Sequence, residues 1–268
     1  MRISIALLAL FAPAAAISAA NSTTPVKPGR IHGPAIIHQR HGHQVSSTNW
    51  SGYAITGAKG SVSDVRASWV VPSIVGQCPS TDQYSSFWVG IDGYSSNTVE
   101  QIGTDSDCQN GKPVYHAWFE FYPHPSFTID IVPISPGNVI SAEVKSGAKG
   151  VFTVTLTNVT TGQSFSWSAK MPSAAQSSAE WIAEAPYSGG ILPLADFSSG
   201  FFGSDYTEQC NTCFATISGT TGPIGSATFN QNLDDITMET SRGTVKAMPS
   251  SLSANGTSFS ITWMSPGP

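Results

Sequence analysis

Apolar and polar residues alternate along much of this chain, and turn-forming residues interrupt the alternation about every eight to twelve positions. Residues 151–157 place Phe152, Val154 and Leu156 on one face, and the alternation resumes over 165–169 after a turn at 160–163. This pattern predicts a β-hairpin, because successive side chains of a strand point to opposite faces. No long stretch has the 3.6-residue period of an amphipathic helix.

Other segments carry the same alternation. Residues 64–71 predict an early strand and 258–263 a last one, while 127–132 and 139–144 predict a second hairpin. The chain has no internal repeat, and about 220 residues suffice for one sizeable core. We therefore expect an all-β fold, an antiparallel sandwich or barrel, in a single domain.

The first twenty residues have the pattern of a secretory signal peptide. Arg2 gives a basic start, an uncharged and alanine-rich run follows from Ser4, and small residues stand at 18–20. A membrane anchor is the alternative, but Pro13 interrupts the run, which is short for a membrane span. We expect residues 1–20 to be removed and the protein to be secreted, with no membrane partner.

Residues 21–45, called the leader below, are basic and rich in histidine. They include Lys27, Arg30, Arg40 and four of the six histidines, and the first carboxylate of the chain is Asp64. All seventeen Asp and Glu residues lie in the body, residues 46–268. The leader is therefore predicted to be a propeptide that binds the body by charge and separates in acid, where carboxylates lose their charge. A disordered linker is the alternative.

The body is acidic but sparsely charged. Charged residues make up 11% of the whole chain, and Ser, Thr and Gly are plentiful. A surface with few ion pairs loses little stability when carboxylates protonate, so it suits an acidic medium. The acidity also argues against nucleic acid as a partner.

The four cysteines of an exported chain suggest disulfides. We predict that Cys78 pairs with Cys108 and closes a long loop, and that Cys210 pairs locally with Cys213. A redox-active Cys-x-x-Cys motif is disfavoured, because neither a helix nor a βαβ pattern follows it.

Two positions suggest a hydrolase without a serine or metal. Gln101 follows the aromatic, glycine-rich run 87–93, and an amide can donate a hydrogen bond to a developing oxyanion. Glu184 lies in the alternating run 179–185, and a carboxylate can deprotonate water and return the proton. Glu180 shares its face, so the pattern alone does not choose between them. The body has no nucleophile elbow, no His-Glu-x-x-His motif and no P-loop.

Residues 115–123 surround one acid with aromatic side chains. In a strand, Trp118, Glu120 and Tyr122 share one face, and Phe119 and Phe121 share the other. The second face is typical of a core, while an acid between two aromatic residues is better suited to a cleft. A solvated glutamate on a surface strand is the alternative.

Six motifs follow one another along the body. They are Asn49-Trp50-Ser51-Gly52-Tyr53, Trp69-Val70-Val71-Pro72, residues 87–93, Glu100-Gln101-Ile102-Gly103, residues 115–123 and residues 179–184. In this order they resemble the glutamic peptidases (eqolisins), from about residue 46 to the C terminus. The resemblance implies a secreted, acid-active endopeptidase made as a zymogen, on a sandwich of two large antiparallel sheets (concanavalin-like).

The resemblance also implies the site. Its catalytic dyad corresponds to Gln101 and Glu184. Further cleft residues correspond to Trp50, Asp92, Gly93, Trp118, Glu120 and Tyr122. We expect Glu184 to act as general base and then as acid, and Gln101 to stabilise the oxyanion. Asp92 and Glu120 would position the dyad or tune its pKa, and the aromatic residues would line the cleft.

Two other functions remain open. A glycan-binding sandwich would tolerate loss of Glu184, and a glycosidase would pair Glu120 with Glu184, but neither explains Gln101. The expected partners are protein and peptide substrates and the chain's own leader as inhibitor. We expect pepstatin-insensitive activity, a monomer and no cofactor. A metal site at His38, His41 and His43 is disfavoured, because no Cys, Asp or Glu lies nearby.

Overall fold

The computed structural model describes residues 30–267. The predicted signal peptide, the first part of the leader and Pro268 lie outside the described residues. No helix among the residues described has the length and apolarity needed to cross a membrane.

Residues 30–267 form eighteen strands and very little helix. The strands are β1 (Ile37–His41), β2 (Gln44–Ser47), β3 (Trp50–Thr56), β4 (Val62–Val70), β5 (Ser86–Ile91), β6 (Val99–Gln109), β7 (Lys112–Tyr122), β8 (Phe127–Ile129), β9 (Val139–Ser146), β10 (Val151–Asn158), β11 (Gln163–Lys170), β12 (Ser178–Glu184), β13 (Ser199–Gly203), β14 (Phe214–Ile217), β15 (Thr220–Pro223), β16 (Leu233–Glu239), β17 (Val245–Pro249) and β18 (Ser258–Trp263). One short helix, α1, spans Ser204–Thr207, and 3-10 turns lie at Ala148–Gly150 and Asn230–Asn232.

The strands form two layers. In the front sheet, the order of hydrogen-bonded neighbours is β8-β7-β6-β5-β12-β3-β16. In the back sheet it is β11-β10-β9-β4, and β4 continues to β14 at one end and β13 at the other. The β16-β17-β18-β13 path joins the layers into one ladder. The expected antiparallel sandwich of two large sheets is confirmed, with one parallel pair, β2 with β16.

The main core lies between the two sheets. Phe87, Ile102 and Phe119 of the front sheet and Val144 and Leu156 of the back sheet belong to one apolar cluster. Fully burying a side chain of this size contributes about 1.5–3 kcal/mol, so alternation on both sheets is the main source of stability. The outer face of the front sheet carries a second cluster, rich in tryptophan, and this face holds the candidate site.

The predicted hairpin of residues 151–169 is confirmed, with Leu156 opposite Phe165 in the β10–β11 pair. The hairpin predicted from 127–132 and 139–144 is wrong. The first segment forms β8, which pairs with β7, whereas the second forms β9, which pairs with β4 and β10. Both segments are strands, but their hydrogen-bonding partners lie in different sheets.

The disulfide between Cys78 and Cys108 is confirmed. It joins the loop before β5 to the end of β6 and closes a loop of 30 residues, for which chain entropy predicts roughly 3–4 kcal/mol of stabilisation. The predicted pairing of Cys210 with Cys213 is wrong, since both thiols are free. The side chain of Cys213 belongs to the core cluster, while Cys210 is exposed, so the two side chains lie on opposite sides of the turn.

The described part of the leader runs across the front sheet and then joins it. Residues 30–36 cross its outer face, and Ala35 donates its N–H to the carbonyl of Gly93. β1 then pairs antiparallel with β2. Leader and body are therefore covalently and structurally continuous through one hairpin.

Candidate active site

Gln101 and Glu184 lie on the same face of the front sheet, two strands apart. Gln101 on β6 is opposite Gly90 of β5, and Glu184 at the end of β12 is opposite Ser86 of β5. β5 therefore separates the two side chains, and both are completely buried. Glu120 on β7 is directly opposite Gln101, so cross-strand pairing brings three polar side chains to one area.

Glycines make room for these side chains. A Cβ at Gly90 would lie 3.3 Å from the Cβ of Gln101 and 2.9 Å from the Trp88 ring. A Cβ at Gly103 would lie 3.0 Å from the ring of Trp118. The glycines of the motifs in β5 and β6 therefore let long side chains lie flat over the sheet.

All three polar side chains contact His32 of the leader. Gln101 donates a hydrogen bond from Nε2 to the carbonyl oxygen of His32. The backbone N–H of His32 donates to Oε2 of Glu120 at 2.8 Å. Its ring Nδ1 lies 3.3 Å from Oε2 of Glu184. One residue of the leader thus engages Gln101, Glu120 and Glu184 together.

Tryptophans hold this arrangement. Trp88 donates from Nε1 to Oε2 of Glu184 at 2.9 Å. Trp50, which is opposite Glu184 on β3, packs edge-on against Trp88 with ring centroids 4.8 Å apart. The Trp118 ring stacks on the imidazole of His32 at 3.6 Å. Glu184 therefore has few conformations open to it. Tyr122 packs against the same cluster.

Burial shifts both glutamates towards their protonated forms. Desolvation raises the pKa of Glu184, while the hydrogen bonds and charge of His32 oppose the shift. The pKa of Glu120 is raised well above its usual range, mainly by burial and further by the charge of Glu184. Glu120 therefore keeps its proton to higher pH than an ordinary glutamate. These pKa shifts describe the structure in which residues 30–36 lie across the front sheet.

Asp92 and Gly93 contribute in different ways. The carboxylate of Asp92 accepts the backbone N–H groups of Gln176 and Ser177 at 2.7 and 2.9 Å, so it anchors the loop that leads into β12. Gly93 has φ +100°, and a Cβ there would lie 2.5 Å from Val99. The backbone carbonyl of Gly93 accepts from Ala35. Neither Asp92 nor Gly93 is hydrogen-bonded to Gln101 or Glu184.

A second polar cluster lies farther along β6 and β7. Asp105 and Asp107 are buried, and both accept hydrogen bonds from Arg30 of the leader. His116 lies 3.3 Å from Asp105. Burial raises the pKa of Asp105, but the charges of His116 and Arg30 outweigh it and hold the pKa below its usual range. Among residues 30–267, the one close group of metal-ligand side chains is Asp105, Asp107 and His116, within 4.8 Å of one another.

Several of these residues are absent from the site expected from the sequence. Asp105 and Asp107 follow Gln101 at even spacing, which would have placed them on its face of the strand. Trp88 stands within a motif, but its bond to Glu184 depends on the pairing of β5 with β12. His32 was one of four histidines in the leader, and nothing local distinguishes it.

Residues 48–247 match the model of the Peptidase A4 family. The chain belongs to this family. The curated relatives agree: the chain is 31% identical to Aspergillopepsin-2 of Aspergillus niger over 179 residues, or 58% of this chain and 62% of that protein. It thus spans somewhat less than two thirds of that relative. It is 30% identical to scytalidopepsin B of Scytalidium lignicola over 71% of this chain and 73% of that protein.

Solved structures of the Peptidase A4 family have the same fold. Scytalido-glutamic peptidase, solved with a transition state analog inhibitor, superposes with a TM-score of 0.65 at 26% identity, covering 81% of this chain and 98% of that chain. Aspergilloglutamic peptidase from Aspergillus niger gives 0.56 at 29% identity, covering 68% and 99%. The resemblance to eqolisins is therefore confirmed at the level of family and fold.

Proposed function

We propose that this chain is the zymogen of a secreted acid endopeptidase that uses Glu184 and Gln101 as its catalytic dyad. One observation carries the proposal: the side chains of Gln101, Glu120 and Glu184 converge on a single residue, His32, through its carbonyl oxygen, its backbone N–H and its imidazole ring respectively. Gln101 donates to a peptide carbonyl, as an oxyanion donor would. Membership of a peptidase family and the fold of two glutamic peptidases support the same conclusion.

In the reaction, a substrate carbonyl takes the place of the His32 carbonyl beside Gln101. Ionised Glu184 removes a proton from a water molecule, which attacks the carbonyl carbon. The amide of Gln101 stabilises the oxyanion that forms, and a donor of this kind is typically worth about 3 kcal/mol of barrier. Glu184 then transfers the proton to the leaving amine, and the peptide bond breaks.

The other residues position these groups. Trp88 holds Glu184 by a hydrogen bond, and Trp50 packs behind it. Glu120 accepts the backbone N–H of the residue whose carbonyl is bound, and it is a positioning residue. Trp118 and Tyr122 line the cleft, and Asp92 with Gly93 shape the loops at its end. Because Glu184 must start ionised with Glu120 still protonated, activity requires a pH above the pKa of Glu184 and below the pKa of Glu120.

The proposal is tested by casein digestion near pH 4 with pepstatin present. Wild-type protein, matured in acid, should cleave casein, while Glu184→Gln should fold and lose cleavage. Gln101→Ala should lose about 100-fold or more in kcat. The exposed residues Glu208 and Gln163 offer matched controls: Glu208→Gln and Gln163→Ala should retain full activity.

A folded Glu184→Gln protein that still digests casein would remove Glu184 from the reaction. Thermal unfolding and near-UV circular dichroism establish folding in each variant. Wild-type protein that leaves casein intact but cleaves or binds polysaccharide would favour the glycosidase or the glycan-binding alternative.

The leader is the proposed inhibitor. Its His32 imidazole stacks on Trp118 and lies beside Glu184, in the space that an attacking water needs. Farther along, Arg40 donates to Asp234 at 2.7 Å, and Arg30 is paired with the buried acids of β6. Burial and the charge of Asp105 raise the pKa of Asp107, so acid protonates Asp107 before Asp105, weakens its bond to Arg30 and loosens the leader. We propose that processing then leaves a body that begins near residue 46.

This part of the proposal is tested with a synthetic 21–45 peptide added to the matured enzyme. Inhibition should be strong near pH 6 and weak near pH 3, measured with a small peptide substrate. A peptide of reversed sequence has the same composition and charge, and it should not inhibit. Equal inhibition by both peptides would show that charge alone acts, and no inhibition at any pH would leave the leader a linker. N-terminal sequencing of protein from the culture medium tests secretion and the processing point.

A further inference from the structure

Three positions among residues 30–267 match the acceptor pattern for N-linked glycans, an asparagine followed two residues later by serine or threonine. They are Asn49, Asn158 and Asn255, and none is followed directly by proline. A glycan is bulky, so the asparagine that carries it must lie at the surface of the folded protein. The contacts of each side-chain amide therefore decide which of the three can carry one.

Two of these asparagines are buried, and their amides are already bonded. Asn158 is fully buried and donates from Nδ2 to the carbonyl oxygen of Pro133 at 3.0 Å and to Oδ1 of Asn138 at 2.8 Å. Asn49 is 2% exposed beneath the leader, and its Nδ2 donates to the carbonyl oxygen of Pro34 at 3.1 Å. A sugar on either nitrogen would need space that protein atoms fill and would leave buried acceptors unpaired. The folded zymogen therefore has no room for a glycan at Asn49 or Asn158.

Asn255 is exposed, in the connection between β17 and β18. Its Oδ1 accepts the backbone N–H of Thr257 at 3.1 Å, the Thr257 hydroxyl at 2.8 Å and the hydroxyl of Ser253 at 2.7 Å. This Asx turn directs Oδ1 into the turn and leaves Nδ2 on its outer side. Nδ2 makes a long contact, 3.4 Å, with Oδ1 of the exposed Asp205. Because the amide has two N–H groups, one can be replaced by a sugar while the other keeps this contact.

Asn255 lies on the side of the molecule formed by the back sheet. The helix α1, which contains Asp205, covers the outer face of that sheet, since Thr207 shares a hydrogen bond of 2.6 Å with Ser68 of β4. Ser68 faces outward, because its neighbour Trp69 belongs to the core between the sheets. The candidate site lies on the outer face of the other sheet. A glycan on Asn255 would therefore leave the cleft open.

We propose that Asn255 is an N-glycosylation site, which takes one oligosaccharide in the secretory pathway of a eukaryotic cell. The donor is an oligosaccharide joined through its anomeric carbon to a lipid diphosphate. Nδ2 forms a bond to the anomeric carbon and loses one proton, while the bond from that carbon to the phosphate oxygen breaks and the lipid diphosphate leaves with the electron pair. The inference rests on the proposed secretion and does not depend on the catalytic dyad.

The test expresses the full chain in a eukaryotic host and examines matured protein from the culture medium. Mass spectrometry of glycopeptides, with fragmentation that keeps the sugar on its residue, should find an oligosaccharide on Asn255 and none on Asn49 or Asn158. Matured protein is used because the acceptor pattern also occurs at Asn21, which lies in the leader outside the described residues. Asn255→Gln and Thr257→Ala should each abolish the glycan, and the second variant retains the asparagine.

Thr160→Ala is the matched control, because it removes the acceptor pattern of Asn158 by changing an exposed threonine. This variant should carry the same glycan as the wild-type protein. Asn255→Gln should leave kcat/KM for a small peptide unchanged, because the glycan lies on the side opposite the cleft.

Wild-type protein secreted with an unmodified Asn255 would overturn the inference, as would a glycan on Asn158 of folded protein. A glycan that persists on Thr257→Ala would also contradict it, since the acceptor pattern would then have no role. Failure of the proposed secretion looks different, because no protein would reach the medium. A chain with a heterologous signal peptide in place of residues 1–20 then decides, and an unmodified Asn255 in that secreted protein would again overturn the inference.

Discussion

Glu120 and Glu184 are two buried acids that face the same bound residue, and their protonation is linked. The charge of Glu184 is among the causes that raise the pKa of Glu120, after burial. With both carboxylates ionised at the start, the charge of Glu120 would remain near the oxyanion that forms beside Gln101 after Glu184 has taken its proton, and the barrier would rise. The proposed reaction therefore needs one proton on the pair, carried by Glu120.

Glu120→Gln keeps the shape of this side chain and removes its charge at every pH. Ionisation of Glu120 should limit activity on the alkaline side, so the alkaline limb of the kcat/KM profile should move to higher pH in the variant. The acid limb should stay in place, because Glu120 is protonated and uncharged where Glu184 titrates. Activity of matured enzyme on a small peptide, measured from pH 2 to pH 7, checks both limbs.

The partly exposed Glu143 of β9 provides the control, since Glu143→Gln should leave the profile in place. A Glu120→Gln enzyme that loses activity by the same factor at every pH would show that the carboxyl group only supports the structure.

At single positions, the sequence predicted which face of a strand a side chain occupies better than it predicted which residues that side chain contacts. Alternation alone placed Trp118, Glu120 and Tyr122 on one face, and the structure has all three on the cleft side of β7. The choice of Glu184 over Glu180 came from resemblance, because both share a face of β12. Whether Cys210 and Cys213 form a disulfide depends on the side of the turn that each thiol faces. The short spacing of the two cysteines does not determine those sides.

Among the strands, β3 and β12 approach each other with no room for a side chain at Gly52. A Cβ there would lie 2.1 Å from the backbone carbonyl oxygen of Trp181, and Gly52 also has φ +143°. Glu184 is two residues beyond Ile182, the residue opposite Gly52. This glycine therefore sets how closely the strand of Glu184 packs on its neighbour.

Gly52→Ala should lower the free energy of unfolding by about 2–4 kcal/mol, because overpacking against a backbone atom adds to backbone strain. Urea denaturation at pH 4 measures the change. Gly162, in the β10–β11 turn, has φ +78° and nothing within 4 Å of a built Cβ. Gly162→Ala thus isolates the strain and should cost about 1 kcal/mol. An equal decrease in the free energy of unfolding of the two variants would show that the close approach of β3 and β12 does not contribute to the effect of Gly52→Ala.

Strand existence was easier to predict than strand pairing. Both β8 and β9 alternate as expected, yet they do not pair, because β9 lies between β4 and β10 in the back sheet. Alternation indicates which face of a strand is buried. It does not indicate the sheet of the sandwich to which the strand belongs, because strands of both sheets bury one face. The β10–β11 hairpin was predictable because its turn is short and its partners are adjacent in sequence.

Across the whole molecule, burial favours the protonated form of several carboxyl groups. Glu100 and Glu180 are fully buried, and none of their side-chain oxygens has a hydrogen-bond partner among residues 30–267. Burial, with the nearby charge of Asp92, raises the pKa of Glu100 to about 9. Burial likewise raises the pKa of Glu180 well above its usual range. Both are accommodated as neutral acids.

The folded chain thus holds a proton on Glu100 that the unfolded chain releases above about pH 4.3. Its contribution to stability is complete below that pH and is lost as pH rises towards 9. Between pH 4 and pH 7 the free energy of unfolding should fall, by up to ~3 kcal/mol from this group. Glu100→Gln should reduce the fall, as measured by urea denaturation at both pH values.

A Glu184→Gln background prevents self-cleavage during this measurement. The exposed Glu208 serves as the control, because Glu208→Gln should leave the difference between pH 4 and pH 7 unchanged. A Glu100→Gln protein with the full wild-type decline would place the pH sensitivity in other groups.

The β1–β2 hairpin gives the leader a further property. While the chain is intact, the leader is tethered to its own cleft, and its effective concentration there is set by a short connection, on the order of millimolar. A cut within the exposed turn at Gly42 and His43 turns this intramolecular contact into an encounter between two molecules. Under the proposed inhibition, a freed leader still binds where the protein is concentrated and is lost on dilution into a large volume. The proposed activation would therefore depend on the volume in which the cleavage occurs.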